Sequence, residues 1–235
     1  NAGAAALAVI LVLGNRKGWP REAMPPHNLP FVMLGTGILW FGWFGFNAGS
    51  ALLANGLAAQ ALVNTHLAAA SAMLAWLLVE KLRAGHATTL GAASGAVAGL
   101  VAITPCAGFV GGLSPIIIGL VAGVVCYLAL TLKTRFNFDD SLDVIAVHLI
   151  GGISGALLLG FFADTKVNAL GFNGWFNGGG SSLLVDQLVA IAATFAFSFI
   201  VTWLAAKILD ATIGLRVSQE DELVGLDQSQ HAEAA

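Results

Sequence analysis

The chain has 235 residues, of which 57% are hydrophobic and only 10% charged, with a formal net charge of -3 and a mean hydropathy of +0.84. A soluble domain carries about a quarter charged residues, so this composition excludes one and indicates an integral membrane protein. Apolar runs of roughly 20 residues select a helical bundle over a barrel of alternating strands, and no nucleic-acid partner is expected.

Asn1 opens inside an apolar run, without an initiator Met, a basic n-region or a twin arginine, so the N-terminus reads as cut. Hydropathy predicts a partial span at Ala2–Leu13 and complete spans near Leu29–Ala54, Ala61–Val79, Leu90–Thr104, Leu113–Leu132, Val144–Ala163 and Leu183–Ala206. Arg16, Lys17, Arg21, Lys81, Arg83, Lys133, Arg135, Lys207 and Arg216 fall on one set of alternate loops, leaving only Lys166 opposite. The positive-inside bias then makes Asn15–Asn28 and the C-terminal tail cytosolic, and Asp164–Ser182 external. The expected division is a transmembrane unit over 1–209 and a cytosolic tail over 210–235.

On the second segment Trp43, Phe46 and Ser50 are spaced i, i+3, i+7 and share a helical face over ~10 Å of depth. The rings could pack on lipid or a neighbouring helix, the commoner fate of an aromatic at this spacing. Their setting of Gly42, Gly45, Asn47 and Gly49 is too polar and glycine-rich to face lipid well. Gly91, Gly95 and Gly99 on one later segment, and Gly151 and Gly155 on another, form stripes where neighbouring helices approach closely. Pro105 and Pro115 mark span boundaries. Cys106 and Cys126 lack metal or redox spacing and read as small buried hydrophobes.

Val144–Ala163 carries no formal charge but holds one histidine, His148. An imidazole at that depth either bonds a neighbouring helix as glue or faces a protein-lined pathway. Asp140 and Asp143 just before it suit a helix N-terminus and read as structural. His148 lies five residues past Asp143, only ~7 Å along a helix. The expectation is that Asp143 sits in a protein-lined vestibule and the helix begins earlier than hydropathy suggests. His66, His27 and His86 are given no role, His66 being placed at the outer start of its span. Outer-loop residues 171–182, with Phe172, Trp175 and Phe176, read as an irregular interfacial cap.

Taken together, these motifs resemble the ammonium transporter family over essentially the whole chain. Gly42-Trp43-Phe44-Gly45-Phe46-Asn47-Ala48-Gly49-Ser50 is similar to that family's sixth helix, Gly91 to Pro105 to its eighth, and Asp140-x-x-Asp143 with His148 to its tenth. Asn1-Ala2-Gly3 resembles the residues after the first pore histidine in His-x-Asn-Ala-Gly, and Gly214-Leu215-Arg216-Val217 with Gly225-Leu226-Asp227 fits the tail. The resemblance implies an all-α polytopic bundle, the second half of an eleven-helix inverted-repeat pore, running from the end of helix five through helix eleven, in a homotrimer in the cell membrane. It implies passage of ammonium or ammonia, with Ser50 in an outer recruitment site, Phe46 in a phenylalanine gate, and His148 as the second pore histidine with Trp43 beside it. Asp140 and Asp143 match acidic positions near the cytosolic side. A PII-type regulatory protein at the cytosolic face is an implied partner. No catalytic set, cofactor or metal is implied. Two other readings stay open: an ammonium sensor of the same fold, and a non-transporting membrane bundle in which His148 is glue. The acidic tail is otherwise a solvated end, and its last residues, His231-Ala232-Glu233-Ala234-Ala235, depart from the family's His-Gly-Glu.

Overall fold

The structure is a computed structural model that describes residues 1–233; the reading of Ala234 and Ala235 lies outside the described residues. The described residues contain helices and turns and no strand. The main helices are α1 (Ala2–Leu13), α2 (Leu29–Gly49), α3 (Gly56–Ala84), α4 (Thr89–Ile103) and α5 (Ser114–Ala129), which a short α6 (Thr131–Arg135) extends. A π-helical turn (Ile145–Ile150) leads into α7 (Gly151–Phe162), and α8 (Ser182–Thr212) precedes two tail helices, α9 (Gln219–Val224) and α10 (Leu226–His231).

Local chemistry sets the ends. Asn28 and Asn55 accept the Phe31 and Ala58 amides and cap α2 and α3, and Gly85 closes α3 in the left-handed region at φ 83°. The Glu80 carboxylate accepts the Thr88 amide at 3.0 Å and its hydroxyl at 2.8 Å, while Thr88 caps α4 through the Gly91 amide. These bonds fix the corner between α3 and α4.

The core is a trio of α3, α4 and α5. A Cβ on Gly99 would lie 2.4 Å from the Ala68 carbonyl oxygen, and one on Gly119 would lie 2.3 Å from the same atom. α4 and α5 thus meet one turn of α3 from two sides. Lipid supplies no hydrophobic drive between helices, so this close approach, with its dispersion contacts, holds the trio together. α7 joins through Gly155, whose Cβ would lie 2.1 Å from the Ala102 carbonyl oxygen. α1 lies between α8 and the π turn, with Gly3 against Leu149.

Among the described residues five helices are long and apolar enough to cross a membrane, where hydropathy alone suggests six complete spans. The exception is α4, whose 15 residues reach only ~22 Å. Its chain continues as buried turns through Cys106, Ala107 and Val110, each at most 3% exposed. Non-helical backbone survives at membrane depth only where protein satisfies it. Here Asn64 Nδ2 donates to the Ala107 carbonyl at 2.9 Å and to that of Val110 at 2.6 Å. Because α3 starts at Gly56, His66 lies ~15 Å along its helix and not at the outer start of a span. It sits there with its ring 5.5 Å from that of Trp40. α8, with 31 residues and ~46 Å, is longer than a ~30 Å bilayer core. In the loop before α8, the Phe176 ring lies 5.3 Å from that of Phe162, and Phe172, Trp175 and Phe176 are all exposed.

Candidate functional site: a line of residues from one face of the bundle to the other

At the end of the bundle opposite the basic loops, the structure brings the aromatic column of α2 together. The Trp43 and Phe46 rings meet edge to face at 5.6 Å. Phe46 and Ser50 line one cavity of about 330 Å³ with Asn47, Thr104, Phe109 and Asn168. Trp43 Nε1 donates to Thr104 Oγ1 at 2.8 Å, and that hydroxyl passes its own proton to the Leu100 carbonyl at 2.7 Å. The Ser50 hydroxyl likewise donates to the Phe46 carbonyl at 2.8 Å. Its proton is spent on the helix, leaving its lone pairs to accept from a donor. Gly42, Gly45 and Gly49 have no neighbour within 4 Å in this chain, so they form an open face and not a packed one.

Below this column, Trp43 packs on a cluster that includes Val101 and Val147, one residue from His148. The His148 ring is half-buried and, among the described residues, makes no hydrogen bond to a neighbouring helix. It borders two cavities. One of about 570 Å³ opens toward the basic loops, past Arg16, Ser94, Lys133 and Asp143. The other, of about 200 Å³, lies between α7, α1 and α8 beside Asn1, Gln187 and Thr194. His148 therefore stands where a wall residue stands, which the helix-glue reading does not require.

The carboxylates divide their work. Asp140 is buried and accepts the Val144 and Ile145 amides at 3.0 and 2.7 Å, capping the π turn. Asp143 lines the larger cavity and pairs with Lys133 at 2.5 Å. Burial pushes its carboxyl up from the ordinary carboxylate range, and the Lys133 ammonium opposes that shift. The expectation that the helix begins earlier than hydropathy suggests is corrected: Asp143 has φ 57° in the left-handed region, and helical structure starts at Val144. Residues 141–143 line the larger cavity together with His148, so the two are joined without an extra helical turn.

Sequence reasoning passed over Asp139. Its side chain is 1% exposed and accepts the Arg16 amide at 2.9 Å, Nε at 2.7 Å and Nη2 at 2.8 Å. The guanidinium holds this carboxyl below its usual range. The acidic tail is also engaged. Glu222 accepts the Lys17 amide at 2.8 Å and pairs with Arg216, and these contacts hold its carboxyl low. Arg216 Nη1 reaches the Leu13 carbonyl at the end of α1 at 3.0 Å.

A model of the Ammonium Transporter Family matches residues 1–235. The ammonium transporter of Mycobacterium tuberculosis (strain ATCC 25618 / H37Rv) is 52% identical over 239 residues, covering 100% of this chain and 50% of that protein. The ammonium transporter Amt1 of Archaeoglobus fulgidus is 48% identical over 235 residues, covering 100% and 59%. Among solved structures, Saccharomyces cerevisiae Mep2 superposes with a TM-score of 0.86 at 39% identity, covering 93% of this chain and 51% of that one. A sensor Amt protein superposes at 0.87 and 33% identity, covering 99% and 57%. The chain spans about half the length of the curated relatives it matches. A polytopic all-α bundle matched along its entire length by the family model, and about half identical to two named ammonium transporters, belongs to the ammonium transporter family.

Proposed function

We propose that this chain forms the second half of a pore that carries ammonium, released as ammonia, across the cell membrane. The observation that carries the reading is the line from Ser50 and Phe46 at one cavity, through Trp43, to His148 at the wall of the other two. Ser50 offers lone pairs to an N–H donor, and the aromatic faces of Phe46 and Trp43 attract a cation. The apolar passage beyond penalises any cation that keeps its charge. Ammonium escapes that penalty by leaving its proton behind, and potassium cannot. A neutral imidazole at His148 then offers the uncharged ammonia a hydrogen bond.

The basic face is the cytosolic one in this proposal, with 210–235 as a cytosolic tail and Asp140 and Asp143 at the inner vestibule. Family membership supports the homotrimer and a PII-type regulatory partner. A second reading, an ammonium sensor, is favoured by the likeness to the sensor Amt protein.

The test joins this chain to the N-terminal half of the M. tuberculosis relative and reconstitutes the chimaera in liposomes. Saturable ammonium uptake is expected. His148→Asp should admit potassium, because a carboxylate in the lumen offsets part of the desolvation cost of an intact cation. A destabilised variant with unaltered ammonium-over-potassium selectivity would remove His148 from the pore wall. Ammonium binding without flux in the chimaera would favour the sensor.

A further inference from the structure

Asn47 follows Phe46 on α2 and is 93% buried by its 7% exposure, yet it lines the outer cavity beside Phe46 and Ser50. Its Nδ2 donates to Thr65 Oγ1 on α3 at 2.9 Å, and Thr65 Oγ1 lies 2.6 Å from the Ala61 carbonyl oxygen. The proton count decides which way the amide faces. Two oxygens 2.6 Å apart repel unless a proton lies between them, so the single Thr65 hydroxyl proton is committed to Ala61. Thr65 can then only accept from Asn47, and the amide nitrogen must be the atom that faces it. The amide oxygen is left on the cavity side. No described residue donates to it, and it is not among the fully enclosed side-chain atoms that lack a partner.

A bond between α2 and α3 alone would not require this arrangement, since a Ser or Thr could supply it. An accessible amide oxygen with no protein donor takes its hydrogen bond from whatever fills the cavity. The neighbouring Ser50 hydroxyl cannot, because its proton is on the Phe46 carbonyl. Thr104 cannot, because its proton is on the Leu100 carbonyl. Ser50 and Thr104 thus present hydroxyl oxygens whose own protons are turned into the protein.

We infer that the Asn47 amide oxygen is a second hydrogen-bond acceptor of the outer site, held in place by Thr65, and that it takes an N–H of ammonium or a primary alkylammonium ion. Asn47 binds the ion and Thr65 is a positioning residue. The inference rests on the transport reading above and adds to it the part of the site that senses N–H donors.

The experiment measures methylammonium uptake against concentration in the chimaera, together with its thermal stability. Asn47→Leu keeps the side chain's bulk and removes the acceptor. Losing one hydrogen bond to a charged group should raise KM about 10-fold or more. Thr65→Val frees the amide to turn its nitrogen to the cavity and should raise KM by about 3-fold or more, while Thr65→Ser, which keeps the hydroxyl, should restore it. If Asn47 only ties α2 to α3, both variants lower stability and maximal uptake but leave KM within about 2-fold of the parent, and the inference is overturned. Should Asn47→Leu fail to assemble, the Thr65→Val and Thr65→Ser pair decides alone. Saturable uptake and a potassium leak in His148→Asp, with unmoved KM in these variants, would sink this inference and spare the transport reading. A parent chimaera without saturable uptake would sink both.

Discussion

Replacing Arg16 with Met tests how the loop after α1 holds the start of the His148 segment. The Asp139 side chain is 1% exposed and depends on Arg16 for all three of its recorded bonds, two of them from the guanidinium. Breaking a buried pair from one side costs about 3–5 kcal/mol, because the remaining charge stays desolvated. Arg16 is itself 40% exposed, so solvent screening reduces the expected loss to about 2–3 kcal/mol. Its pH dependence has a definite sign. The Asp139 carboxyl is held below its unfolded value of about 3.9, so the pair's contribution is complete above that value and is lost as pH falls through the lower folded value. The stability gap between parent and Arg16→Met should therefore be flat from pH 8 to 5 and close below about pH 4. Denaturation of the detergent-solubilised chimaera measures the gap, with Arg16→Met/Asp139→Leu as control. Removing both partners should recover part of the loss, since the Arg16 amide then lacks its acceptor. A single-variant cost under about 1 kcal/mol, or a double variant as unstable as the single, would refute the argument.

Further outcomes are expected. Gly119→Val places a Cβ 2.3 Å from the Ala68 carbonyl oxygen and should lower thermal stability by about 1–3 kcal/mol or more by forcing α5 from α3; an unchanged melting temperature would contradict that packing. Ser50→Ala should raise KM for ammonium about 5-fold, the worth of about 1 kcal/mol, with maximal uptake preserved, and a superimposable uptake curve would take Ser50 out of the site. Cysteine at position 166 should react with an impermeant maleimide added to intact cells, and cysteine at position 17 only after permeabilisation; the reverse pattern would invert the orientation.

The apolar runs made the helices readable, because composition alone decides which segments tolerate lipid. Their ends were less readable for a specific reason. Gln60, Asn64 and Thr65 resemble an interface when hydropathy is averaged, but each has a partner inside the bundle, so α3 runs past them. The segment after α4 looks like the end of a span and is a buried irregular stretch that Asn64 sustains, 43 and 46 residues away in sequence. Trp43, Phe46 and Ser50 could be grouped because helical spacing is local information. Asp139 could not, since its partner lies 123 residues earlier and nothing near it in the chain signals a pair. Asn47 was visible only as a polar neighbour of the column; its orientation needed the Thr65 hydroxyl on another helix.

The π turn at Ile145–Ile150 sets a rotational phase as well as a position. Its i to i+5 bonds take in one residue more than an α-turn before the chain returns to the same face. The segment on either side is anchored, by the Asp140 carboxylate on the Val144 and Ile145 amides and by Gly155 seated on Ala102. Neither anchor can turn to absorb a change in length between them. Deleting one residue from the turn would rewind it as an ordinary α-helix and swing the His148 side chain by about 100° relative to α7. The imidazole would then leave the cavity wall with every other helix in place.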